Sequence, residues 1–409
     1  MTDRIALTDL ADPQFDPAVR EILDLVASTA SAVSLEPADL MAAAVDEVGL
    51  DDFGDSSFQE PFGVLCSALR EEAGLSDLGK VMTATQLAGL LKNRLRIERY
   101  LADHPDALDL DISRPIVIAG LPRTGTTHLH NLLSADPALR HLPYWESLEP
   151  LPLPGEASIE PRRERAGLGV DFINAAMPHF AAMHEMTIDH AHEEIQLLAM
   201  TFSTMFFETL APIPSYRDWW DSHDQRPAYA YLKRVLQVLQ HARGGDRWVL
   251  KSPQHLAQLP ALLDTFPDAT VVVTHRDPVA VTISMATMVA YTARLQVDAV
   301  DPVAIGSYWS GRVEQLLTAC SRDRDVVPGA QSLDVRFDGF MAAEWATVGA
   351  IYNLADQTLS PSSRQAMEEF LATHPRGRHG AVDYRPEPLG IDPAERRQAL
   401  QEYADRFGV

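Results

Sequence analysis

Apolar residues recur along this chain in two rhythms. From Pro17 to Val33, Pro37 to Val48, Phe62 to Ala73 and Met82 to Asp103 they fall at helical spacing, broken by Pro, Gly and Asp clusters. In the last segment Leu87, Leu90, Leu91 and Leu95 make one stripe. A stripe of this kind is a core contact, so residues 1–110 are expected to form a helical region packed on a sheet or against a second copy of the chain. Three short runs differ: Pro115 to Ala119, Arg247 to Leu250 and Thr270 to Thr274 are nearly continuous in apolar or β-branched residues. That pattern suits parallel strands buried on both faces. Each run passes through a tight turn into a helical pattern, carried by Leu129, Leu132 and Leu133 after the first, by Gln254 to Thr265 after the second, and by the residues after Pro278 in the third. The alternation predicts an α/β fold with a central parallel sheet flanked by helices.

Between the first two predicted strands, ALRHLPYWESLEPLPLP (138–154) is too rich in proline for a long helix, and places Glu146 on a loop. Residues 160–243 read as a helical insertion, clearest in PRRERAGLGVDFINAAM, EEIQLLAMTFSTMFFETL and RPAYAYLKRVLQVLQHA. The insertion gathers methionine and phenylalanine, mostly core residues, some of them suited to lining an adaptable apolar pocket. Residues 111–409 are thus expected to form one α/β domain, with residues 370–409 as a lid whose basic patch, Arg376, Gly377, Arg378 and His379, closes over an anion.

The turn after the first strand carries the most chemistry. Gly120-Leu121-Pro122-Arg123-Thr124-Gly125-Thr126-Thr127 has two glycines at phosphate-loop spacing and runs straight into a helix. Such a turn aims backbone N–H groups and the positive end of a helix dipole at one spot, which suits an anionic oxygen cluster. A nucleoside-triphosphate loop would have Lys after the second glycine; here Thr126 stands there, and the cation, Arg123, lies inside the loop. The pattern therefore points to a phosphate bound without the usual lysine and magnesium, with a phosphate-loop kinase or NTPase as the rival reading.

Charge sharpens the picture. The 409-residue chain has a formal net charge of -24 and only four lysines, Lys80, Lys92, Lys233 and Lys251. So acidic a surface excludes nucleic acid as a partner, and an anionic ligand needs a local island of positive charge. Arg123, Lys251 and Arg276 each fall at the carboxyl end of a predicted strand, where ligands of parallel sheets bind. Ser284, two helical turns beyond Arg276, is placed to donate a hydroxyl to the same anion. Cys66 and Cys320 lie far apart and make neither a disulfide framework nor a metal pattern. His190, His192, Glu193 and Glu194 in DHAHEE invite a metal reading, but histidines two apart do not share a helix face, and an acid-rich helix start accounts for the run as well. No metal is expected. No membrane-spanning run stands out and the N-terminus is polar and acidic, so the expected setting is cytoplasmic.

Taken together, LPRTGTT and RDPVAVTIS resemble the 5′-phosphosulfate and 3′-phosphate motifs of sulfotransferases that use 3′-phosphoadenosine-5′-phosphosulfate. LKSPQHL, FPDA, THRDP and the late PRGRHG followed by Tyr384 resemble a bacterial branch of that family, and the likeness spans about residues 115 to 405. The resemblance implies sulfuryl transfer from 3′-phosphoadenosine-5′-phosphosulfate to a hydroxyl, without metal, leaving adenosine 3′,5′-bisphosphate. Arg123, Thr124, Gly125, Thr126 and Thr127 would hold the 5′-phosphosulfate; Arg276, Ser284, Arg376, Gly377 and Arg378 would serve the 3′-phosphate. Arg123 and Lys251 would stabilise the leaving group's charge. Cytosolic members carry a histidine shortly after a lysine, but Pro253 occupies that position here and His255 is displaced. Other branches use a glutamate about twenty residues past the loop, which makes Glu146 the preferred base, His255 the second and His184 the third. The Met- and Phe-rich insertion suggests a small apolar alcohol or phenol as acceptor. A catalytically silent cofactor-binding protein, using its N-terminal helices for assembly, is the remaining alternative, and a homo-oligomer stays open.

Overall fold

A computed structural model of the protein describes residues 4–409. Six strands, β1 (Arg4–Ile5), β2 (Ile116–Ala119), β3 (Val249–Ser252), β4 (Thr270–His275), β5 (Ser332–Arg336) and β6 (Ala381–Val382), make two parallel sheets among the described residues. β1 pairs with β6, which ties the start of the chain to its C-terminal part. The other four lie in the order β3-β2-β4-β5, with Ile116 facing Val249 on one side and Thr270 on the other. The chain therefore leaves β2 toward one edge and crosses back to the other. That reversal makes the carboxyl end of β2 a switch point, the crevice where ligands of such sheets bind.

Both faces of the sheet are covered. Val117, Ala119, Leu250, Val271 and Val273 point into one core and Ile116, Ile118, Val249 and Val272 into the other, as the two-residue period of a strand requires. The second core is closed by Leu129, Leu132 and Leu133 of the helix Thr126–Ser134 and by Val348 and Ile351 of the helix Glu344–Ala355. The first core is larger and takes in the N-terminal helices. These run Pro17–Ala27, Pro37–Val48, Gln59–Glu71 and Asp77–Asp103, and their Leu87 and Leu91 share a core with Leu236 and Val273. Pro278–Leu295 is long and apolar enough to cross a membrane, and 83% of it is buried inside the protein, so here it is a core helix.

Several elements differ from the sequence pattern. β3 begins at Val249 rather than Arg247 and extends through Lys251, whose backbone pairs opposite Ile118. The helix expected from Gln254 starts only at Leu259, after a tight turn over Pro253–Ala257. Pro260, in its first turn, has no N–H to continue the ladder backwards. EEIQLLAMTFSTMFFETL is not one helix. It breaks at Phe202, held at a left-handed φ of 55°, because Tyr216 Oη donates to the Phe202 carbonyl (2.9 Å) and Gln254 Oε1 accepts from Thr204 Oγ1 (2.7 Å). β5 has no counterpart in the hydrophobic pattern, because SLDVR is short and half polar.

Candidate active site

Two glycines and a strained arginine shape the loop after β2. A Cβ at Gly120 would lie 1.9 Å from Thr274 Oγ1 on β4, so only glycine lets the loop pass so close to the neighbouring strand. Thr124 Oγ1 donates to the Leu121 carbonyl (2.6 Å) and pairs with the Thr274 hydroxyl (2.6 Å), pinning the turn to the sheet. Arg123 is held at φ 74° and Gly125 at φ 89°. The left-handed region costs a non-glycine residue about 1–2 kcal/mol, and such strain persists where a site needs it. Gly125 caps the helix Thr126–Ser134, leaving the first N–H groups of that helix facing outward into a cleft of about 590 Å³.

The loop, Arg276 and the C-terminal segment meet in this cleft. Arg123, Gly125, Thr126, Thr127, Arg276, Arg376, Gly377 and Arg378 all line it. Thr124 does not line it; its hydroxyl is spent inside the turn. Arg123 Nε donates to Ser284 Oγ (3.0 Å) and its Nη1 to the Met183 carbonyl, while Arg276 Nη1 donates to the Arg123 carbonyl (2.6 Å). Among the described residues neither Arg123 nor Arg276 has a carboxylate within ion-pair distance, although the chain is strongly acidic. Burial, and next the charge of Arg123, press the Arg276 guanidinium below its ordinary pKa. A bound anion would relieve that tension. A second cavity, of about 800 Å³, lies between the turn before Arg226, the segment around Pro260 and the helix Pro302–Asp323, and contains none of these loop residues.

The C-terminal basic segment lies over the cleft and is tethered by acids on its rim. Arg376 Nη2 donates to Glu344 Oε1 (2.7 Å), which also bonds His128 Nε2 (2.8 Å). Arg378 and His379 grip Glu185, the latter at 3.1 Å. Burial pushes the Glu185 carboxyl up, but the hydrogen bonds from Arg378 and His379 outweigh it and hold it below its ordinary value.

The remaining expected residues lie deeper. Lys251 is 2% exposed, with its ammonium paired to Glu193 and its backbone N–H donating to Glu194 Oε2 (2.7 Å). His255 is fully buried between Tyr229 Oη (2.7 Å) and Glu194 Oε1 (2.5 Å). Glu193 and Glu194 of the DHAHEE run therefore brace the end of β3, a partnership across more than fifty residues that no local pattern announces. Glu146 differs most from its expected role. Its carboxylate is fully buried, with Oε2 on Arg140 Nη2 (2.6 Å) and Oε1 on Arg243 Nη1 (2.6 Å), and it does not line the cleft. Of the Met and Phe residues of the insertion, Met183 is buried where the core meets the cleft, whereas Met200, Met205, Phe202 and Phe207 belong to the core and do not line the cleft. Phe337, Met341 and Phe370, from outside the insertion, supply the rest of the apolar wall.

A strand, phosphate-type loop and helix at a switch point, with Arg123 and Arg276 reaching one cleft from two strand ends and Lys251 buried against Glu193 at the third, make an architecture suited to group transfer onto or from an anion. The model of the sulfotransferase family matches residues 115–361, and the chain belongs to that family. Sulfotransferase STF1 from Mycobacterium tuberculosis is similar in structure, with a TM-score of 0.79, 33% identity, and coverage of 90% of this chain and 98% of that one. Sulfotransferase STF9 from Mycobacterium avium is similar at a TM-score of 0.82 and 27% identity, covering 92% of this chain and 97% of that one. No curated protein sequence matches.

Proposed function

We propose that this sulfotransferase moves a sulfuryl group from 3′-phosphoadenosine-5′-phosphosulfate to the hydroxyl of a small apolar alcohol or phenol. One observation carries the reading: Arg123 and Arg276, without carboxylate partners among the described residues, face one cleft beside the open N-terminus of the helix Thr126–Ser134. The residues fit such a donor. At Gly125 a Cβ would come within 3.1 Å of Phe337 Cδ2, so glycine keeps the cradle open, and the cleft is of the size that holds a nucleotide.

The donor, when bound, supplies the activated sulfuryl group; the protein's part is to hold and polarise. The Thr124 N–H is spent on the Leu121 carbonyl (3.3 Å), so the N–H groups of residues 125–127 and Arg123 would take the 5′-phosphosulfate. Arg276 and Ser284 would take the 3′-phosphate, with Arg376, Gly377 and Arg378 covering it. Arg123 and Lys251 would offset charge on the departing bridging oxygen, in a site that the C-terminal segment shields from water. The apolar wall of Met183, Phe337, Met341 and Phe370 favours an apolar acceptor over a sugar.

Calorimetric titration tests this. Adenosine 3′,5′-bisphosphate should bind tightly without magnesium, and more tightly than ATP. Arg276→Ala should weaken it about tenfold to a hundredfold, because a hydrogen bond to a charged group contributes about 1.5–3 kcal/mol. Preference for ATP with magnesium would instead indicate phosphoryl transfer.

A further inference from the structure

Sulfuryl transfer to a hydroxyl needs a group that takes the hydroxyl proton, and neither Glu146 nor His255 reaches the cleft. The titratable side chains around the cleft and the end of β3 narrow the choice. Glu193 is tied to Lys251, and Glu185 to Arg378 and His379. His190 has Nδ1 at the Thr187 carbonyl (2.5 Å) and Nε2 at His192 Nδ1 (2.9 Å), so both its ring nitrogens are engaged. His128 bonds Glu344, and His374 bonds Thr373 and the Phe370 carbonyl. Two cleft-lining histidines, His141 and His184, make no side-chain hydrogen bond among the described residues. They differ in their surroundings. The cations acting on His141 are Arg140 and Arg243, the pair that grips Glu146. Those acting on His184 are Lys251 and Arg123, the two cations on which the transfer would turn.

We propose that His184 is the catalytic base of this enzyme. The role rests on the donor assignment above. Arg123 Nη1 donates to the carbonyl of Met183, so the imidazole is carried on the residue directly after the one that the loop arginine holds. Phe180 packs beside the ring at a centroid distance of 5.9 Å, and His190 lies edge-on at 6.3 Å. As the acceptor oxygen bonds to sulfur, the bond between sulfur and the bridging oxygen breaks and its electron pair stays on the departing bisphosphate. The hydroxyl proton passes to the free ring nitrogen of His184.

The surroundings also make the base depend on the donor. Burial, then the charges of Lys251, His190 and Arg123, hold His184 well below the ordinary histidine pKa. The free enzyme therefore keeps it neutral but weakly basic. Burial stays and Glu193 already pairs the Lys251 ammonium, so a polyanion in the cleft offsets the contribution of Arg123, and donor binding strengthens the base at the moment it is needed.

Two measurements test this. In NMR titration of the imidazole protons of the wild-type protein, saturating adenosine 3′,5′-bisphosphate should raise the His184 pKa by about one unit or more, since a charge within about 4–6 Å moves a pKa by 1–3. His184→Gln should bind the bisphosphate within threefold of wild type, yet lose about 10²–10⁴-fold in transfer of labelled sulfate to a phenol, together with the acid limb of its pH profile. Bisphosphate binding that leaves the His184 titration unmoved, or a His184→Gln variant that keeps its rate and acid limb, would overturn the role alone. A wild-type protein that does not bind the bisphosphate would overturn the donor assignment and this role with it.

Discussion

Replacing Glu146 by Gln separates an architectural carboxylate from a catalytic one. The side chain keeps its shape but loses its charge, and its amide would face two guanidinium donors with one acceptor oxygen. Glu146 is 0% exposed, Arg140 11% and Arg243 31%, and the two arginines also lie over Trp248 (4.5 Å) and Trp145 (4.6 Å), so neither can leave without unpacking an indole. Breaking a buried ion pair costs about 3–5 kcal/mol, and the partial exposure of Arg243 sets the expectation at the lower end, about 3 kcal/mol. With an unfolding entropy of about 2.1 cal/mol/K per residue, that loss lowers Tm by about 3–4 °C for a chain of this length. Calorimetric unfolding of Glu146→Gln should show that drop, with bisphosphate affinity unchanged and transfer of labelled sulfate to a phenol reduced by less than about threefold, against the 10²–10⁴-fold that loss of a general base brings. An unchanged Tm with turnover lost by a hundredfold or more would refute the reasoning and restore Glu146 as the base.

Other substitutions probe the loop and the sheet edge. Gly120→Ala puts a methyl 1.9 Å from Thr274 Oγ1, so bisphosphate binding should fall at least tenfold as the loop is pushed off β4, measured by the same calorimetry on whatever soluble protein remains. Asp334, on β5, is pushed up by burial but held at about 2 by hydrogen bonds from His275 and Arg324, which outweigh it. A carboxylate with a depressed folded-state pKa stabilises above its unfolded value near 3.8 and loses that contribution as pH falls toward about 2. Asp334→Asn should therefore flatten the acid limb of stability between about pH 4 and pH 2; a limb of unchanged steepness would show that other carboxylates control acid unfolding.

The local pattern was sufficient for the centre of the fold. Apolar β-branched runs, a glycine turn and a leucine stripe dictate strand, loop and helix through interactions within a few residues, so β2, β4 and the loop bearing Arg123 were legible directly. The same holds for the N-terminal helices, whose ends moved by a few residues. β5 was not legible, because SLDVR is short, half polar, and a strand only by virtue of the free edge of β4 beside it. The break at Phe202 was hidden for a similar reason, since the hydroxyl of Tyr216 that satisfies it lies fourteen residues away.

For the site, sequence alone determined which cations sit at strand ends, because that follows from where each strand stops. Only the tertiary structure decided which acids those cations meet. Glu146 stands about twenty residues beyond the loop, yet Arg140 and Arg243 take both its oxygens; Glu193 and Glu194 lie in a run that reads as a helix start, yet they brace Lys251 and His255. A carboxylate's role depends on which donors lie within about 3 Å, and here most of those donors come from distant parts of the chain.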